Sequence, residues 1–147
     1  MAANAWSFYN SFREYIGNGS FDLDGTGTGF YMALHTSAAS ALVNTKTLST
    51  QASLANEVAN GNGYLTGGAS VTARTWASVA TDKYRFDSTA VVWTATAGTI
   101  ANIKYAVVYQ AGGKLVCFSK LTTAQFTLAQ DNTLTVTPSA SGIFELA

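Results

Sequence analysis

A chain of 147 residues has the length of one domain and is long enough to bury a single core. Charged residues make up only 11% and hydrophobic ones 48%, so Thr, Ser, Asn and Gly must supply the polar surface, and a net charge of +0 leaves little repulsion between copies. Eight Lys and Arg standing singly exclude a track for nucleic-acid phosphates, a lone Cys117 excludes an intrachain disulfide, and no apolar run approaches the length of a membrane span.

The opening "MAANAWSFYNSFREY" lacks the basic-then-apolar order of a secretory leader, so a soluble chain not exported by that route is expected. Trp6, Phe8, Tyr9, Phe12, Tyr15 and Ile16 recur near helical spacing, which predicts a short amphipathic helix over residues 5–16, with Gly17 and Gly19 ending it. So many aromatics on one face must be covered, by the domain itself in the first place, or by a neighbouring molecule.

After the helix the period changes to 2. "DLDGTGTG" alternates Asp22 and Asp24 with Phe21 and Leu23, as an ordinary strand leading into a turn would. A calcium loop there lacks the bidentate glutamate at the required distance. "FYMALHT" sets Phe30, Met32 and Leu34 on one face of a strand, with His35 at its end.

Residues 37–53, "SAASALVNTKTLSTQAS", show no clean period and are expected to form a long loop, a feature that in a compact domain is often functional or ordered by a partner. "ANEVANGNGYLTGGASV" at residues 55–71 reads as a turn module. Its four glycines, Gly61, Gly63, Gly67 and Gly68, permit unusual backbone angles, Asn60 and Asn62 cap turns, and Tyr64 with Leu65 would pin the module to the core.

"VTARTWA" places Val71, Ala73 and Thr75 on one strand face and turns Trp76 the same way as Arg74, which leaves its exposure open. Tyr84 and Phe86 alternate with charged neighbours in the next strand. "AVVWTAT" and "IKYAVVYQ" are the most continuously apolar runs and are expected to be central. Gly112 and Gly113 join two alternating runs as a tight hairpin turn, "QDNT" at residues 130–133 reads as a further turn, Pro138 belongs at a strand end or edge, and "IFELA" closes the chain as a strand. Eight or nine short strands with no helices between them predict one all-β domain over residues 1–147, an antiparallel β-sandwich or barrel-like fold, jelly-roll arrangements included, with a short N-terminal α-helix.

No constellation for catalysis emerges. His35 is the only histidine, no Gly-x-Ser-x-Gly elbow exists, and no acid accompanies His35 at metal-ligand spacing, so a polar strand-end histidine is the better reading. The glycine tracts lack the Gly-Lys-Ser/Thr ending and the following helix of a phosphate loop. Asp82, Asp87, Asp131 and Glu145 lie beside turns or on strand faces, as solvated surface. Cys117, next to Val116 and Phe118 and sharing a face with Leu115, is expected to be a buried, inert thiol. No enzyme activity, cofactor or metal is expected. Trp76, if exposed, is a candidate platform for a sugar ring.

In chain order, "YNSFREYIGNGSFDLD", "YMALHTS", "ANEVANGNGYLTGGASV" and "YAVVYQ" resemble a family of small virion structural proteins of tailed bacteriophages, and "ANEV" followed by Gly-x-Gly-Tyr and Gly-Gly is the most specific element. The resemblance spans most of the chain. The Ala, Ser and Thr-rich loop at residues 37–53 departs from the aromatic and acidic stretch that the family often carries there. The resemblance implies a non-enzymatic capsid decoration protein on the virion exterior, made in the host cytoplasm. As a homo-oligomer, a trimer being favoured, it would clamp the major capsid protein. Direct contact with nucleic acid or with a membrane is not expected, from the scattered basic residues and the lack of a long apolar run. Candidate contacts are Trp6, Phe8, Tyr9 and Phe12 of the helix, Leu42, Val43 and Leu48 of the long loop, and Trp76. The alternative is a tail, neck or fibre module binding a host glycan or another virion protein; a small hydrolase using His35 is a third reading.

Overall fold

The computed structural model describes residues 5–24, 27–40 and 50–147. Among them the strands pair antiparallel throughout, and short period-2 runs separated by turns leave room for only one α-helix. A five-stranded sheet has the order β1 (Ser7–Phe8), β9 (Lys114–Lys120), β8 (Tyr105–Gln110), β2 (Phe30–His35) and β3 (Ala69–Val71). A three-stranded sheet has the order β12 (Phe144–Leu146), β5 (Lys83–Asp87) and β4 (Thr75–Ala80). Two further pairs join β10 (Phe126–Leu128) to β7 (Ile100–Ile103) and β11 (Thr133–Val136) to β6 (Val91–Thr94).

The main core fills the space between these layers. Phe30, Met32 and Leu34 of β2 and Ala106 and Val108 of β8 face Phe86, Trp93, Ile100, Leu134, Val136 and Phe144 from the smaller sheets. The opposite face of the five-stranded sheet is covered as well, with Ala33, Val107, Leu115 and Phe118 packed beneath Tyr9 and Leu54. Every residue of β8 is therefore buried, which accounts for the unbroken apolar run "YAVVYQ". The all-β, sandwich-like fold expected from alternation is the fold observed, with its helix α1 (Asn10–Gly17) near the N-terminus.

Local expectations held where neighbours in sequence decide conformation. Val91, Trp93 and Ala95 are buried while Val92 and Thr94 are exposed. Gly112 and Gly113 both take positive φ, 89° and 88°, in the turn between β8 and β9. The turn at residues 130–133 is present, with Asp131 at φ 65°, but it carries the chain from β10 to β11, which belong to different sheets. Pro138 lies just beyond β11, where its missing N–H breaks no ladder.

Four local readings are corrected. The helix begins at Asn10, because Ser7 and Phe8 pair with Phe118 and Cys117 as β1 and the Tyr9 N–H donates to Val116 O. Residues 21–24 form no strand: Phe21 and Leu23 pack on the core without a ladder partner. Ala73 sits at φ 48° and turns the chain between β3 and β4, so the alternation read through "VTARTWA" is broken and Trp76 is half-buried. Cys117 does not share a face with Leu115: β9 bulges at Val116, since Val108 opposes Cys117 while Tyr109 opposes Leu115, and the extra residue moves the two side chains to opposite faces.

Candidate functional site

A dense hydrogen-bond network holds the module at residues 55–71, and its centre is Glu57. The backbone of this segment continues along the end of β2, where Val58 N donates to Leu34 O and Thr36 N to Asn56 O. That placement points the Glu57 side chain back over its own loop. Its Oε1 accepts from the Tyr64 hydroxyl at 2.7 Å and from Gly67 N at 2.6 Å, and its Oε2 accepts from Gln51 Nε2 at 3.2 Å. Tyr64 is fully buried, and its hydroxyl also accepts from Leu34 N at 3.0 Å. Tyr109 completes the network by donating to Gly67 O at 2.6 Å. Burial and the neighbouring carboxylate both push the Tyr64 hydroxyl to a much higher pKa than usual, so it stays a donor.

Two glycines are required by this seat. A Cβ on Gly68, at φ 76°, would land on the Met32 carbonyl oxygen and beside Ala33 Cα, and one on Gly63, at φ 96°, would land on Thr94 O. Asn60 accepts from Thr66 N at 3.1 Å as a turn cap, whereas Asn62 reaches across to donate to Thr99 O at 2.8 Å. Leu65 does not pin the module: it is 70% exposed, and Tyr64 holds the loop without it.

His35 is fully buried at the end of β2 and lies opposite Glu57 in an isolated bridge. Ala55 O can only accept, so the 3.3 Å contact places the proton on Nδ1, and Nε2 is buried with no partner. Burial lowers the pKa of His35 from 6.5, opposed by the Ala55 hydrogen bond and the charge of Glu57. Among the described residues no group of three His, Cys, Asp or Glu side chains is placed to share a metal ion. Cys117 is fully buried, and burial alone pushes its thiol well above the usual range, as an inert core thiol would have it.

The aromatic segment at the N-terminus belongs to the core. Tyr9 and Phe12 are 0% and 2% exposed, and Phe12 stacks on Phe8 at 4.7 Å and meets Phe144 edge-on at 5.2 Å. Phe8 and Trp6 are half-buried against the same cluster. These four were candidates for contact with another molecule; Tyr9 and Phe12 have no surface to offer, because the domain itself covers them. Leu42, Val43 and Leu48 lie outside the described residues. The ends of the long loop are seen: Ser37–Ser40 and Gln51–Ser53 form single 3-10 turns, and Gln51 N donates to Gly113 O at 2.6 Å.

Trp76 is the remaining candidate. Its indole stacks on Tyr84 at 5.4 Å and packs against Phe144. Together with Leu146 it forms one wall of a cleft of about 300 Å³, whose other wall is Ile16, Phe21 and Leu23 and whose polar groups are Asp22 and Asp24. Asp24 hydrogen-bonds to Asp22, and that contact is the largest cause that raises the Asp22 carboxyl above its usual pKa. The cleft was not legible in sequence: Trp76 and Asp22 are far apart in the chain and line it together only in the folded domain.

Comparison of the chain with family models, with curated proteins and with solved structures finds no match in any of the three.

Proposed function

We propose that this chain is a non-enzymatic structural protein of a bacteriophage virion, a capsid decoration protein that binds the major capsid protein on the outside of the head as a homo-oligomer. The observation that carries the reading is the place of the residues that bear the resemblance. Glu57, Tyr64, Gly67 and Gly68 form one latch seated on β2 and act as determinants of the fold, not as a reactive site. A surface poor in charge, with Tyr84, Val79, Val92 and Leu65 exposed, suits attachment to a protein lattice. A module that binds only the assembled lattice stabilises it by mass action against the pressure of packaged DNA.

Capsids stripped of the protein test this. Adding the purified chain is expected to restore co-sedimentation at a stoichiometry set by the capsid lattice and to raise the temperature at which the heads rupture. No binding to capsids overturns the proposal.

A second reading is favoured by the cleft beside Trp76: a tail, neck or fibre module that stacks a host sugar on the indole and accepts its hydroxyls at Asp22 and Asp24. Here the copy number per particle would match a tail and not the lattice. Glycan binding lost in Trp76→Ala would support it, and no binding to any glycan would remove it.

A further inference from the structure

The outer edge of β4 ends the three-stranded sheet, and at six residues β4 is the longest of the strands that lie at a sheet edge among the described residues. An edge presents unpaired N–H and C=O groups, and proteins protect long edges with charge, proline or cover. Residues 75–80, "TWASVA", contain neither charge nor proline, and all but Trp76 are exposed. The protection present is a bulge at Val79, between Ser78 and Ala80, which leaves Thr75 to Ser78 in regular register with β5.

We propose that this edge pairs, antiparallel and about a two-fold axis at Ala77, with the same edge of a second copy of this chain. Side chains alternate faces with period 2, so two copies related by a two-fold axis normal to the sheet match only residues of equal parity. Centring on Ala77 sets Trp76 opposite Ser78 of the second copy, the largest side chain against a small one, and sets two methyl groups at the axis. The ribbon is thereby self-complementary. The net charge of +0 removes the repulsion that would oppose approach of a second copy. Pairing joins the two three-stranded sheets into one of six strands. It also brings Val79 and Tyr84, 42% and 47% exposed, close to the new contact.

A two-fold contact closes on two copies, in contrast to the trimer implied by the resemblance. A six-residue edge buries less than the roughly 1,200 Å² of a standard stable interface, so the dimer is weak. The inference stands apart from the virion role: an isolated chain displays it without any capsid.

Sedimentation velocity on the full chain, from micromolar to millimolar, tests it. A monomer–dimer equilibrium is expected. Ala77→Lys and Ala77→Asp each place like charges at the axis and weaken the dimer by about tenfold or more, while an equimolar mixture of the two restores it. Because Ala77 is exposed, both variants are expected to keep the wild-type far-ultraviolet circular dichroism. A wild type that stays monomeric, a trimer, Ala77 variants that associate like the wild type, or a mixture that fails to recover would each overturn the proposal; should a variant not fold, the wild-type measurement still decides.

Discussion

The Tyr64 hydroxyl donates to Glu57 at 2.7 Å while accepting from the backbone N–H of Leu34, thirty residues away in the chain, at 3.0 Å. One phenol therefore ties the loop carboxylate to β2 of the larger sheet. Glycines around it let the backbone approach β2 closely, and Tyr109 holds the far side through Gly67 O.

Removing that hydroxyl by Tyr64→Phe leaves Leu34 N without its side-chain acceptor and Glu57 with one donor fewer. A loss of about 1–3 kcal/mol is expected from urea denaturation. Glu57→Ala strands Tyr64, Gly67 N and Gln51 together, so it should cost more than Tyr64→Phe; equal stability of the two variants would show that the carboxylate is not the hub.

Gly68→Ala and Gly112→Ala separate backbone strain from close approach. Both positions have positive φ, 76° and 89°, but a Cβ at Gly112 meets open space while one at Gly68 collides with β2 backbone. Gly112→Ala is expected to cost about 1 kcal/mol, and Gly68→Ala several times that or loss of the fold, read by thermal unfolding.

His35 makes stability depend on pH. Its folded pKa lies below the unfolded value of 6.5, so below 6.5 the unfolded chain binds more protons and stability falls. The loss develops as pH drops from 6.5 towards the lowered folded value, and it is absent at pH 8. Glu145, whose pKa Arg85 and Lys83 hold down, adds a loss of the same sign nearer 4.5, while Asp22, raised by Asp24, acts oppositely. Urea unfolding at pH 8 and pH 5.5 should show the drop in the wild type and a smaller one in His35→Gln; an equal drop in both would refute the assignment.

Phe12→Ala tests whether the N-terminal segment belongs to the core. With the ring 2% exposed among Phe8, Phe21 and Phe144, a loss of about 3–5 kcal/mol is expected in chemical denaturation. A near-neutral result would mean that the helix docks only loosely and is free to contact another molecule.

Period-2 alternation and turn chemistry act between neighbours, so the sequence by itself determined the all-β class, the buried face of β6, the Gly112–Gly113 turn and the burial of Cys117. Where a partner distant in the chain decides, only the tertiary structure settled the outcome. Ser7 and Phe8 fall within the stretch expected to be helical but become a strand because β9 offers them a ladder, whereas Phe21 and Leu23 alternate like a strand and find none. The stretch at residues 55–71 showed its glycines, which announce unusual backbone angles, and its single acid, Glu57. That the acid gathers Tyr64, Gly67 and Gln51, and that Trp76 faces Asp22 across a cleft, depended on packing between layers, which no local pattern encodes.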